Sequence, residues 1–200
     1  MIKIIKNIFF CLCFVFFFSK YSYAIDENIA IQYIEKVGQQ AIDILKTPIE
    51  DLNTRELLFK KMLNNNFDKK LIHRAVLGKA SKGASKEQLI RFGKAFDEHI
   101  IKVYASQLGV YSNQLFIIDK AFKKGKKDTI VSTHIEHETA PPLRIDWRLR
   151  NRGEGIKIID IAIEGVSLLA TKRADFGASI KKGGLHSLII DLETKNAENN

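Results

Sequence analysis

Cysteine is nearly absent: the 200 residues hold two, Cys11 and Cys13, both close to the start. No disulfide staples the rest of the chain, and no thiolate is at hand there as nucleophile or metal ligand. Proline is scarce too, and Pro48, Pro141 and Pro142 each stand where regular structure is expected to stop. No nucleophile is spaced with a base and no glycine-rich phosphate loop occurs, so an enzyme would have to be assembled from dispersed residues. Long apolar runs are missing except at residues 8–18, which falls short of the roughly 17–25 residues a membrane-spanning helix needs.

That run follows Lys3 and Lys6 and ends in the small-residue stretch Ser22-Tyr23-Ala24, the pattern of a secretory signal peptide, residues 1–24, cleaved after Ala24. Both cysteines leave with it. Residues 25–200 then read as one domain, with 29 basic side chains facing 23 acidic ones. The mild positive charge favours anionic surfaces without selecting one. An exported chain has no occasion to meet nucleic acid, which is set aside as a partner.

Hydrophobic spacing of three and four predicts helices over 26–46 (Ile29, Tyr33, Val37, Ala41, Ile44), from about 53 to the asparagine run 64–66, and over 68–77. The second helix is expected to turn Leu57, Leu58, Met62 and Leu63 inward. Ser85 and Gln88 form a capping box that opens a long helix bearing Leu89, Phe92, Phe96, Ile100, Val103 and Tyr104. That face reads as core or as ligand wall. The period then shortens to two. Strands are expected at 115–122, 129–137, 143–150 and 156–164, with Ile159, Ile161 and Ile163 on one side of the last. Gly165 ends it, Ser167 caps a helix running to Gly183-Gly184, and Leu185, Leu188, Ile189 and Leu192 mark a final helix. Helices before and after a four-stranded antiparallel meander make the class α+β.

Three features invite chemistry. His134 and His137 suggest a metal, but residues three apart on a strand face opposite sides, so the two imidazoles share an ion only across a bulge. Asp146, Asp160 and Glu164 alternate away from the dry face and read as cross-strand ion pairs with neighbouring arginines. The inward side shows no carboxylate, and His99 and His137 are the imidazoles considered for it. The basic hairpin ends 123–127 and 148–152 read equally as solvated turns and as contacts for anionic headgroups or an acidic partner.

The stretch IIDIAIEGVSLLATKRADF, residues 158–176, resembles the MlaC family of periplasmic phospholipid-binding proteins, also known as the toluene-tolerance (Ttg) family. Leu71-Ile72 with Leu77-Gly78, the aromatics Phe92, Phe96, Tyr104 and Tyr111, Val131-Ser132-Thr133, and Gly184-Leu185 with Leu188-Ile189 add to the resemblance. Ile156 stands where the family usually has tryptophan, and Lys79-Ala80 where it commonly has an aromatic pair. The resemblance implies a nuclear-transport-factor-like fold enclosing an apolar pocket, and a carrier without catalysis or cofactor, its cargo phospholipid. It implies two partners across the periplasm, an outer-membrane lipoprotein complex and an inner-membrane ABC transporter complex. The alternatives are a periplasmic enzyme on the same cone-shaped scaffold and an exported protein-binding module. For a carrier, the periodic faces supply the expected pocket wall: Phe92, Phe96, Ile100 and Tyr104 from the long helix, and Val131, Ile145, Trp147, Ile161 and Ile163 from the sheet.

Overall fold

The computed structural model describes residues 23–107, 114–136, 141–153 and 155–198. The expected signal peptide up to residue 22, Tyr111 and His137 lie outside the described residues. Five helices come first: α1 (Glu27–Lys46), α2 (Leu52–Asn66), α3 (Lys69–Leu77), the single turn α4 (Ala80–Gly83) and α5 (Lys86–Gln107). Strands β1 (Leu115–Lys124), β2 (Asp128–Glu136), β3 (Leu143–Asn151), β4 (Ile156–Ile163) and β5 (Val166–Ser167) follow, and α6 (Leu168–Glu198) closes the chain. Gly184, at φ 80 and ψ 170, breaks α6 into the two helices the sequence predicts.

Local chemistry sets the helix starts. Asp26, Asp51 and Asp68 each accept a backbone N–H of the first turn, worth about 1 kcal/mol apiece. Before α5 the capping box is reciprocal: the Gln88 N–H donates to Ser85 Oγ at 3.1 Å and the Ser85 N–H to Gln88 Oε1 at 3.0 Å.

The strands lie in the order β1-β2-β3-β4-β5, every neighbour antiparallel. The sheet therefore has five strands where four are expected. Glu164 and Gly165 both take positive φ, 49 and 78, which makes a two-residue hairpin that folds Val166 back onto Ile163. A second difference lies in β4. Pairing slips between Arg148, opposite Asp160, and Leu149, opposite Ile158, so a bulge at Ile159 interrupts the expected alternation. Ile158 thus joins the dry face beside Leu149, and both are fully buried.

The interior has three parts. α1 packs Ala30, Ile34 and Val37 on Val131, Trp147, Leu149 and Ile158 of the sheet. α3, α5 and α6 enclose Val76, Phe92, Phe96, Phe176 and Ile189. Ile44, Phe59, Met62 and Ile101 join α1, α2 and α5. In α2 the buried stripe is Arg55, Phe59, Met62 and Asn66, and Leu57 is 66% exposed. Met62 is buried and Leu58 and Leu63 pack against the third cluster as expected, but Leu57 is turned out and the polar Arg55 and Asn66 take inward places. Asn66 earns its burial by donating to Gln40 Oε1 and the Met62 carbonyl, both at 2.9 Å, while its Oδ1 accepts from Tyr33 at 3.2 Å.

Candidate functional site

The three packed regions do not close on one another. Between the dry face of the sheet and the helices remains a cavity of about 540 Å³, inside the range of roughly 300–1,000 Å³ typical of small-molecule sites. The sheet wall comprises Phe116, Ile135, Ile145, Trp147, Ile161 and Ile163. Opposite stand Ala41 and Leu45 of α1, Phe59 and Met62 of α2, Ile72 and Val76 of α3, and Phe96, Ile100 and Tyr104 of α5. Trp147 can present an apolar ring here because its indole N–H is satisfied within the sheet, donating to the buried Thr133 Oγ1 at 3.0 Å. Thr133 in turn donates to the Ile145 carbonyl at 3.1 Å. Glycine at position 38 lets Phe116 lie against α1: a Cβ there would stand 2.4 Å from its ring.

Seven of the nine expected wall residues border the cavity: Phe96, Ile100, Tyr104, Ile145, Trp147, Ile161 and Ile163. Phe92 and Val131 do not. Phe92 is fully buried one turn back along α5, stacked on Phe96 at 5.6 Å and edge-on to Phe176 at 6.1 Å. Val131 is fully buried in the α1–sheet cluster, between Ala121 and Trp147 in the register. Periodicity places a residue on a face; it does not say how far the neighbouring helix covers that face.

The wall is not wholly apolar, and this corrects the expectation of an inward side without carboxylates. Asp97 accepts from Lys69 Nζ at 3.0 Å and bonds His73 Nε2 at 2.7 Å, and all three side chains border the cavity. Burial alone would raise the Asp97 carboxyl, but the bonds and charges of His73 and Lys69 outweigh it and hold it below its ordinary value. The His73 ring lies edge-on to Phe96 at 5.4 Å, and its Nδ1 faces Gly93, where a Cβ would stand 2.8 Å away. Neither imidazole nitrogen is therefore turned to the open cavity. The signal was present in α3, where Lys69, Ile72, His73 and Val76 share one helical stripe and carry charge and apolar groups together.

Asp160 also borders the cavity, and it is not a cross-strand ion pair. It accepts from Ser167 Oγ at 2.7 Å and from the Leu169 N–H at 3.2 Å, so it caps the start of α6. Asp146 pairs with Arg144 of its own strand at 3.0 Å and accepts from Ser132, while Glu164 accepts the Arg144 N–H at 2.6 Å. The cross-strand pairing falls instead to Asp128, which bonds both Arg148 and Arg150. His134 is held by Asp119 at 2.7 Å and Glu136 at 3.4 Å. His99 lies off the wall, and burial, then Lys172 and Lys195, push its pKa down.

Fold and cavity together define an α+β protein with an internal apolar chamber between a meander sheet and a helical cover. The family model described as MlaC protein matches residues 35–194, and the chain belongs to that family. Among curated relatives, it is 32% identical over 122 residues to the intermembrane phospholipid transport system binding protein MlaC of Haemophilus influenzae. That match takes in 59% of this chain and 57% of the relative, so the chain spans little more than half of the relative's length. Among solved structures, it superposes on the phospholipid-binding protein of Ralstonia solanacearum, determined in complex with a phospholipid, with a TM-score of 0.75 and 22% identity. The superposition covers 84% of this chain and 97% of the other, and at that identity it shows the fold.

Proposed function

We propose that this protein is a periplasmic phospholipid carrier, moving lipid between an outer-membrane lipoprotein complex and an inner-membrane ABC transporter complex without altering it. The observation that carries the reading is the cavity of about 540 Å³ with apolar groups from both the sheet and five helices. A two-chain lipid of roughly 30 methylenes faces a gross cost on the order of 25 kcal/mol on entering water. A chamber lined by Trp147, Phe96, Ile145 and their neighbours replaces that water with protein. The slot lies between elements, so a chain can enter without breaking a ladder of backbone hydrogen bonds. Family membership, the phospholipid-transport role of the Haemophilus influenzae relative and the phospholipid held by the Ralstonia solanacearum protein point the same way. Export by residues 1–24 would deliver the carrier to the periplasm, and cleavage after Ala24 falls two residues before the cap of α1 at Asp26.

One observation favours an enzyme on this scaffold, the His73–Asp97 pair inside the cavity. Against it, Nε2 of that imidazole is taken by Asp97 and Nδ1 lies against Gly93, so His73 offers no free base to a substrate. No serine, threonine or cysteine borders the cavity among the described residues.

Mass spectrometry of lipid extracted from the purified mature protein is expected to find phospholipid at a fixed ratio. A folded Ile161→Glu, Ile163→Glu variant is expected to carry none. Protein free of lipid that also takes none from vesicles would end the carrier reading; turnover of a lipid ester would favour the enzyme.

A further inference from the structure

The charged side chains of the cavity come from one part of its wall. α1, α2 and strands β1 to β3 contribute none, whereas Lys69 (α3), Asp97 (α5), Asp160 (β4) and Lys172 (α6) are all charged. A chamber built this way suits a ligand with an apolar body and one polar end.

Each carboxylate is already engaged by protein. Asp97 is neutralised by Lys69 and bonded to His73, and Asp160 is bonded to the Ser167 hydroxyl and the first turn of α6, where the helix dipole favours a negative charge. Lys69 has Asn64 Oδ1 at 2.5 Å as well as Asp97. Lys172 differs. It borders the cavity, is half-buried, and has no carboxylate at ion-pair distance among the described residues. Its charge adds to burial in lowering the pKa of His99. Lys172 is thus the charged group of the lining with no hydrogen-bonded or ion-paired partner among the described residues, and a phosphodiester would supply one.

Resting on the carrier reading above, we propose that the α3–α5–α6 side of the cavity is a phosphate subsite, with Lys172 as the cation that holds a lipid's phosphodiester and Lys69 as its support. The acyl chains then run toward Trp147 and Phe116. The same oxyanion chemistry would suit inorganic phosphate, so the test separates the two sources.

Delipidated protein is titrated calorimetrically with dioctanoyl phosphatidylglycerol and with dioctanoylglycerol, which share tails and differ in the phosphate. The wild type is expected to bind the phospholipid about tenfold or more tightly, the factor a charge-assisted hydrogen bond supplies. Lys172→Gln is expected to remove most of that preference while binding dioctanoylglycerol unchanged, which also shows that the variant is folded. Lys172→Arg is expected to restore it. Equal binding of both lipids by the wild type, or a preference that survives Lys172→Gln, overturns the subsite while leaving the carrier reading intact. Binding of neither lipid defeats the carrier reading itself. Stabilisation of the delipidated protein by inorganic phosphate through Lys172, without preference between the lipids, assigns the site to free phosphate and overturns the headgroup assignment.

Discussion

Ala30 and Ala41 lie on the same helix, about three turns apart, and face different surroundings. Ala30 is fully buried in the packed cluster between α1 and the sheet; Ala41 borders the cavity. The same change, alanine to leucine, is therefore expected to act with opposite sign at the two positions. Leucine adds three carbons, each worth about 0.8 kcal/mol when buried, so Ala41→Leu can stabilise the empty protein by at most about 2.4 kcal/mol. At about 2–4 °C per kcal/mol for a chain of this size, the ceiling is a rise of roughly 5–10 °C in Tm. Those three carbons occupy space that lipid methylenes would fill, so lipid binding loses up to the same 2.4 kcal/mol, about fiftyfold in Kd. Ala30→Leu meets no free space and should cost about 1–3 kcal/mol, with Tm falling by several degrees. Thermal scans of delipidated protein and retention of a fluorescent phospholipid read both quantities. If Ala41→Leu lowers Tm as Ala30→Leu does and leaves retention unchanged, position 41 does not face the lipid chamber and the placement of the slot is wrong.

Two further outcomes follow from the geometry. Asp128, 4% exposed between Arg148 and Arg150, would be raised by burial, but the arginine hydrogen bonds outweigh this and hold its carboxyl below the ordinary range. A depressed native pKa gives stability that is complete above the unfolded value of about 3.9 and is lost as pH falls through the native one. Asp128→Asn should cost about 3 kcal/mol at neutral pH, with the gap to wild type closing below about pH 4 in urea titrations. In α2, Asn66→Ala should cost about 2–3 kcal/mol in denaturant midpoints by leaving Tyr33 and Gln40 short of partners, whereas Leu57→Glu should stay within about 0.5 kcal/mol.

Much of this architecture was legible because its signals are local. Asp68, the Ser85–Gln88 box and Gly184 act through their nearest neighbours, and the helix boundaries fall where those residues put them. The inward places of Arg55 and Asn66 on α2 were not legible, since both are polar by type, and Asn66 is held inside by Gln40 and Tyr33 from elsewhere in the chain. The bulge at Ile159 leaves no mark in a run of isoleucines, and a glutamate–glycine pair does not announce a hairpin as asparagine–glycine would. For the cavity, seven wall residues followed from periodicity, but which turn of α5 ends the packed core depends on where Phe176 arrives from α6. The Lys69–Asp97 contact joins two helices and is invisible to any single period.

The two sides of the chamber also differ mechanically. The sheet side is one continuous ladder in which each strand grips the next along its length, so it behaves as a stiff plate. The helical side is held to that plate and to itself largely by side-chain contact, with Gly38 and Gly93 as points of close approach. A load placed between a stiff plate and a compliant jaw moves the jaw. On the carrier reading, ligands of different thickness would be expected to shift α1, α2 and α5 slightly, while the pairing of Ile145 with Ile163 and Trp147 with Ile161 keeps its register.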